Sequence, residues 1–139
     1  MKLLCFQAKR FRWKTHAKTL LEVADQDIET TVDETVVVFI HVESAEGDAQ
    51  RTNAVLRQAL KHVKWLANKR GLKNIVLHSF THLGGATAEP GLAESLITTL
   101  GQRLRETGYG VWTTPFGYFC EWDLSVYGES LAKVWKEIR

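Results

Sequence analysis

The chain has 139 residues, a length suited to one domain, and 45% of them are apolar, which provides for a core and excludes intrinsic disorder. Its 18 basic and 16 acidic residues leave a formal charge of +2, a near-balance that argues against bulk coating of nucleic acid but allows local recognition of an RNA end. Two cysteines make no disulfide framework, polar residues interrupt the run after Met1 where a signal peptide would stay apolar, and no apolar stretch is long enough for a bilayer, so a reduced cytoplasmic protein is expected.

In chain order, Lys2 to Gln7 reads as a first strand. Phe11 and Trp13, alternating with Arg12 and Lys14, read as a second, half-exposed one. Thr35 to Val42 is β-branched and almost wholly apolar, the pattern of a strand buried on both faces. Ser44 to Asp48 is polar and reads as an exposed loop. From about Ala49 to Arg70, Leu56, Leu60, Val63, Leu66 and Ala67 recur at helical spacing, and Gly71 supplies the stop. Asn74 to His78 is another buried strand, which makes a βαβ unit with parallel strands. Pro90 opens a second helix with an apolar face of Leu92, Leu96, Ile97, Leu100 and Leu104, and Gly108 closes it. Tyr109 to Thr113 is then a strand, Pro115 to Gly117 a turn, Tyr118 to Val126 a strand, and Leu131 to Ile138 a short terminal helix with Trp135 facing inward. The expected fold is a single α/β domain over residues 1–139, built on a mixed sheet with βαβ units.

In such sheets ligands gather beyond the carboxyl ends of the parallel strands. Three segments belong there: the one after Val42, His78 to Gly85, and Thr113 to Cys120. His78 and His82 would share a face on a helix and bind a metal, but their segment reads as loop, and no metal or other cofactor is expected. His78 reads better as an end-of-strand histidine satisfied by hydrogen bonds, while His82 is either a polar turn residue or a functional one. Gly84-Gly85 before a helix can cradle a phosphate, but it lacks the G-x-G-x-x-G and P-loop patterns and reads better as a plain turn. Cys120 is either a thiol nucleophile or a small buried strand residue. Glu121 and Asp123 are acid–base candidates that an alternating strand would turn to water. Of the aromatic residues Phe11, Trp13, Trp112, Phe116, Tyr118, Phe119 and Trp122, one or two are candidates to stack a terminal base and the rest read as core.

The run from Phe80 to Phe119 resembles the second half of the editing domain of archaeal threonyl-tRNA synthetases, with its histidine-leucine step at His82-Leu83 and its Pro-Phe-Gly-Tyr turn at Pro115 to Tyr118. Val36 to Ser44 resembles the central strand of that family, and Met1 to Leu4 its first strand, so the resemblance spans nearly the whole chain. It implies a D-aminoacyl-tRNA deacylase-like fold, a homodimer, and hydrolysis of the ester joining a wrong amino acid to the 3′ end of tRNA, typically Ser on tRNA-Thr. A synthetic site for threonine cannot strongly reject serine, which lacks only a methyl, so a second site removes it. By position, His82 is the site histidine. Phe39, His41, Val42 and Glu43, with Phe80 and Thr81, would line the amino-acid pocket, and Pro115, Phe116, Gly117, Tyr118 and Phe119 its opposite wall.

The chain departs from the family in four places. The family's His-Ser-Asp is Phe6-Gln7-Ala8, its second tyrosine after the turn is Phe119, its lysine is Cys120, and a later glutamate aligns with Lys133. The leading expectation is a deacylase standing without its synthetase and acting in trans, with His82, Cys120 and Lys133 as its catalytic set and a threonyl-tRNA synthetase as a partner. A binding module that holds aminoacyl-tRNA ends without turnover, or an accessory subunit of a synthetase that lacks editing, is the alternative favoured by the missing lysine. A thiol hydrolase using Cys120 is the third.

Overall fold

The computed structural model describes residues 1–139, apart from the side chains of Ala45 and Glu46. A six-stranded mixed sheet carries two helices on one face. The strands are β1 (Lys2–Lys18), β2 (Glu29–His41), β3 (Asn74–Ser79), β4 (Gly110–Thr113), β5 (Tyr118–Val126) and β6 (Lys133–Glu137), and the helices are α1 (Ala49–Arg70) and α2 (Pro90–Glu106). The order across the sheet is β4-β3-β2-β1-β5, with β6 also on β1. β2, β3 and β4 are parallel neighbours, while β1 pairs antiparallel with β2, β5 and β6.

The parallel half follows the hydrophobic pattern. Every residue of β2 from Thr35 to His41 is buried, because both faces are covered. Val36, Val38 and Ile40 pack with Ile75 and Leu77 under the helices, against Leu56, Val63 and Leu66 of α1 and Leu96, Ile97 and Leu100 of α2. Val37 and Phe39 join Ala8, Phe11, Trp13, Val32 and Val76 on the other face. Asp48 caps α1 by accepting from the Arg51 N–H, and Gly71 ends it at φ 68°, the left-handed conformation a glycine adopts without a Cβ penalty. Residues Ser44–Gly47, expected as loop, form a turn of 3₁₀ helix.

Two expectations are corrected. The N-terminal strands are one strand of 17 residues, and the polar Lys9-Arg10 interruption lies at a register shift against β5 between Ala8 and Arg10. An irregularity of this kind bends a strand without ending it. The expected terminal helix is a 3₁₀ turn (Ser130–Ala132) followed by β6, and Trp135 is 53% exposed rather than inward. Beyond the end of β5, the edge of β1 from Lys2 to Phe6 needs a partner for its backbone groups, and β6 supplies it. A segment this short has too little helical periodicity to resist.

Both β1 and β5 curl over the helix-free face. Trp122 of β5 thereby reaches Phe39 of β2 at a ring-centroid distance of 5.4 Å, and Phe11 at 6.2 Å. Among the described residues no helix is long and apolar enough to cross a membrane.

Candidate functional site

The carboxyl ends of β2, β3 and β4 open at one end of the sheet, and a cleft of about 490 Å³ lies there. One wall is His78 to His82 and the other Thr114 to Cys120. Thr87, Ala88 and Pro90 close the side toward α2, while Thr19 and Leu20, from the end of β1, close the side toward β5. Backbone bonds hold these walls to the strands: Phe80 N–H donates to Ile40 O at 2.9 Å, Ala88 N–H to Val42 O at 3.0 Å and Thr114 N–H to Leu77 O at 3.0 Å.

Gly117 turns the second wall with φ 81°, and its carbonyl accepts from Thr19 N–H at 2.7 Å. A Cβ there would meet Val23 Cγ1 at 2.8 Å, so any other residue would be strained at this φ and would have to displace that side chain. Tyr118 adds a second tie, since its hydroxyl donates to Ala24 O at 2.6 Å and accepts from Gln26 N–H at 2.8 Å.

Two histidine–threonine pairs brace the cleft. His41 Nε2 meets Thr87 Oγ1 at 3.0 Å, joining β2 to the loop before α2. His78 Nδ1 meets Thr114 Oγ1 at 2.8 Å, joining the two main walls. Burial lowers the pKa of both imidazoles, that of His78 to about 4, so His78 is neutral at physiological pH. Burial also raises the Cys120 thiol above its usual value, which keeps it protonated. His82 is exposed beside Phe80, at a ring-centroid distance of 5.1 Å. Phe119 and Trp122 line the cleft with 62% and 39% of their surface exposed, leaving flat apolar area for a stacking partner. No Asp, Glu, Lys or Arg is among the described residues lining the cleft.

Phe80, Thr81, His82 and Pro115 to Cys120 are thus brought together around one cavity. Phe39 is buried behind it, packed on His78 at 5.0 Å and Phe80 at 5.0 Å. His41 and Val42 act through Thr87 and Ala88. Glu43 is engaged elsewhere, accepting from the N-terminal ammonium at 2.8 Å and from Lys2 Nζ at 2.5 Å. Lys133 is not among the lining residues, and its Nζ donates to the carbonyls of Tyr127 and Gly128 at 3.0 and 3.3 Å. Thr19, Leu20 and Thr87 lie outside the residues the sequence points to, and Thr114 falls within the expected segment Thr113 to Cys120 without a role of its own. Thr114 adjoins the Pro-Phe-Gly turn and was legible in principle, whereas Thr19 and Leu20 reach the cleft only through the curl of the sheet.

Among solved structures, the c-Myc DNA unwinding element binding protein is similar in fold, with a TM-score of 0.65 and 15% identity over 100% of this chain and 99% of that one. The architecture is the expected D-aminoacyl-tRNA deacylase-like one. The threonine–tRNA ligase of Staphylothermus marinus is 32% identical over 143 residues, and that of Methanosphaera stadtmanae 27% over 140 residues. These alignments cover 100% and 99% of this chain, which spans 22% of the length of either ligase. The family model for the archaea-specific editing domain of threonyl-tRNA synthetase matches residues 1–138, and the chain belongs to that family.

Proposed function

We propose that the chain is an aminoacyl-tRNA deacylase that hydrolyses seryl-tRNA-Thr in trans. The observation that carries this reading is the cleft itself: the two segments bearing the family motifs, around His82 and around Pro115 to Tyr118, face each other across one cavity at the carboxyl ends of the parallel strands. The amino acid enters between the walls, and the terminal adenine stacks on the exposed rings of Phe119 or Trp122. Water attacks the ester carbonyl, backbone N–H groups hold the developing oxyanion, and His82 orients the water or the ribose hydroxyl. A protonated Cys120 tunes the wall where the family has a lysine. Lys133, held by the carbonyls near its own turn, has at most an indirect part.

The proposed molecule is a homodimer that works in the cytoplasm and associates with a threonyl-tRNA synthetase. Support for the dimer is Trp135, more than half exposed and paired with Leu4, whose face of the sheet carries no helix.

A second reading has its own support. A cleft with no Lys, Arg, Asp or Glu among its described lining residues offers little to stabilise charge in a transition state, as expected of a module that binds aminoacyl-tRNA ends without turning them over. One time course separates the two. Protein is mixed with Ser-tRNA-Thr, Thr-tRNA-Thr and a D-aminoacyl-tRNA, and selective loss of the seryl ester is expected. Survival of all three esters with protein well above tRNA would overturn the enzyme and leave the module.

A further inference from the structure

The floor of the cleft holds a histidine that the family motifs do not include. His78 ends β3, keeps only 7% of its surface open and lines the cleft. Its ring is packed among Phe39, Phe80 and Phe11, at centroid distances of 5.0, 6.3 and 6.5 Å. Nδ1 is taken by Thr114 Oγ1. Nε2 has no hydrogen-bond partner among the described residues, yet it is not one of the sealed unpaired atoms. His78 lines the cleft, and a ring nitrogen neither sealed nor bonded within the protein is the one free to meet a ligand there.

The partner fixes the tautomer. Thr114 is 4% exposed, and its hydroxyl has one side-chain partner, the His78 ring. If Nδ1 carried the proton, the buried threonine O–H would have no acceptor among the described residues. Donation from Thr114 O–H to Nδ1 satisfies both groups and leaves the single ring proton on Nε2. Burial keeps the ring from taking a second proton near neutral pH.

We infer that His78 is a specificity-determining residue, presenting a fixed Nε2–H donor at the cleft floor to the side-chain oxygen of a hydroxyl-bearing aminoacyl group. This rests on the aminoacyl-end reading above and adds to it a means of choosing the side chain. A seryl or threonyl side chain supplies the acceptor. An aliphatic one of similar size leaves the N–H desolvated and unpaired, and sites built this way discriminate far better than apolar pockets do.

The test is binding of non-hydrolysable 3′-(L-seryl)amino-3′-deoxyadenosine and its L-alanyl counterpart to the full chain, by titration calorimetry. The wild-type protein is expected to prefer the seryl compound by about tenfold or more. His78→Phe replaces the imidazole by an apolar ring, removing the donor along with the Thr114 brace, and is expected to abolish the preference over and above any loss of affinity common to the two compounds. Equal weakening of both compounds, an unchanged preference, or no preference in the wild type would overturn the role of His78 with the site still standing. If the wild type binds neither compound, the aminoacyl-end reading falls and this inference with it. Nitrogen-15 spectra of histidine-labelled wild type give a check that needs no variant. The Nε2–H tautomer is expected, with its resonance shifted by the seryl compound and not by the alanyl one, and an Nδ1–H tautomer would overturn the inference.

Discussion

At the scale of single residues, exposure separates the two cleft histidines. His82 is open to solvent and makes none of the bracing bonds, so its removal tests chemistry without disturbing the fold. His82→Ala is expected to lower single-turnover deacylation by roughly a hundredfold, the scale of a lost proton-handling or water-orienting group, with the melting temperature unchanged. Glu43 has the opposite character. Burial pushes its pKa up, but hydrogen bonds from Lys2 and the N-terminal ammonium outweigh this and hold it near about 2, against an ordinary value of 4.5. Burial pulls the ammonium's own pKa down, so the two partners oppose each other. The carboxylate accepts from two cations, and its effect prevails. Because the folded pKa is depressed, Glu43 stabilises the protein fully above pH 4.5 and loses that effect as pH falls toward about 2. The melting temperature of Glu43→Gln is expected to lie below wild type near pH 6 and to converge with it toward pH 2, as a pH series of thermal scans would read.

At the scale of elements, the wall from Thr114 to Tyr118 is held by conformation as much as by packing. Gly117→Ala puts a Cβ on a residue at φ 81° and drives it against Val23. A cost of about 1–2 kcal/mol in denaturant unfolding is expected from the backbone conformation alone, together with weaker binding of the seryl compound, because the wall shifts with the turn. Retained stability and unchanged binding would mean that the turn relaxes freely. The same scale explains β6. Its alternation of Lys133, Val134, Trp135 and Lys136 suits a strand once β1 offers an edge, and Val134 packs against the main core from that position.

At the scale of the whole molecule, the helices cover one face of the sheet and the curl of β1 and β5 covers only part of the other. Leu4 and Phe6 remain half-buried there, with Trp135 beside Leu4. Trp135→Glu places a charge on this face and is expected to convert the proposed dimer to monomer in sedimentation equilibrium, with the circular dichroism of the monomer retained. A wild-type protein that is monomeric at tens of micromolar would remove this face from any self-association.

The sequence by itself determined the parallel half of the fold. The apolar run of β2, the helical spacings of α1 and α2, the cap at Gly71 and the turn at Gly117 are signals carried between near neighbours, where a 3.6- or two-residue period and a backbone preference act directly. The motif order also disclosed the family. Tertiary structure decided what depends on distant partners. Lys2 pairs with Glu137 across nearly the whole chain, so β6 became a strand only because β1 had an open edge. Thr19 and Leu20 became a wall, and Lys133 was drawn to its own turn, through contacts that no local pattern announces. For His78, the sequence showed a histidine at the end of a strand, and only the fold set Thr114 against one ring nitrogen and made the residue part of the cleft lining.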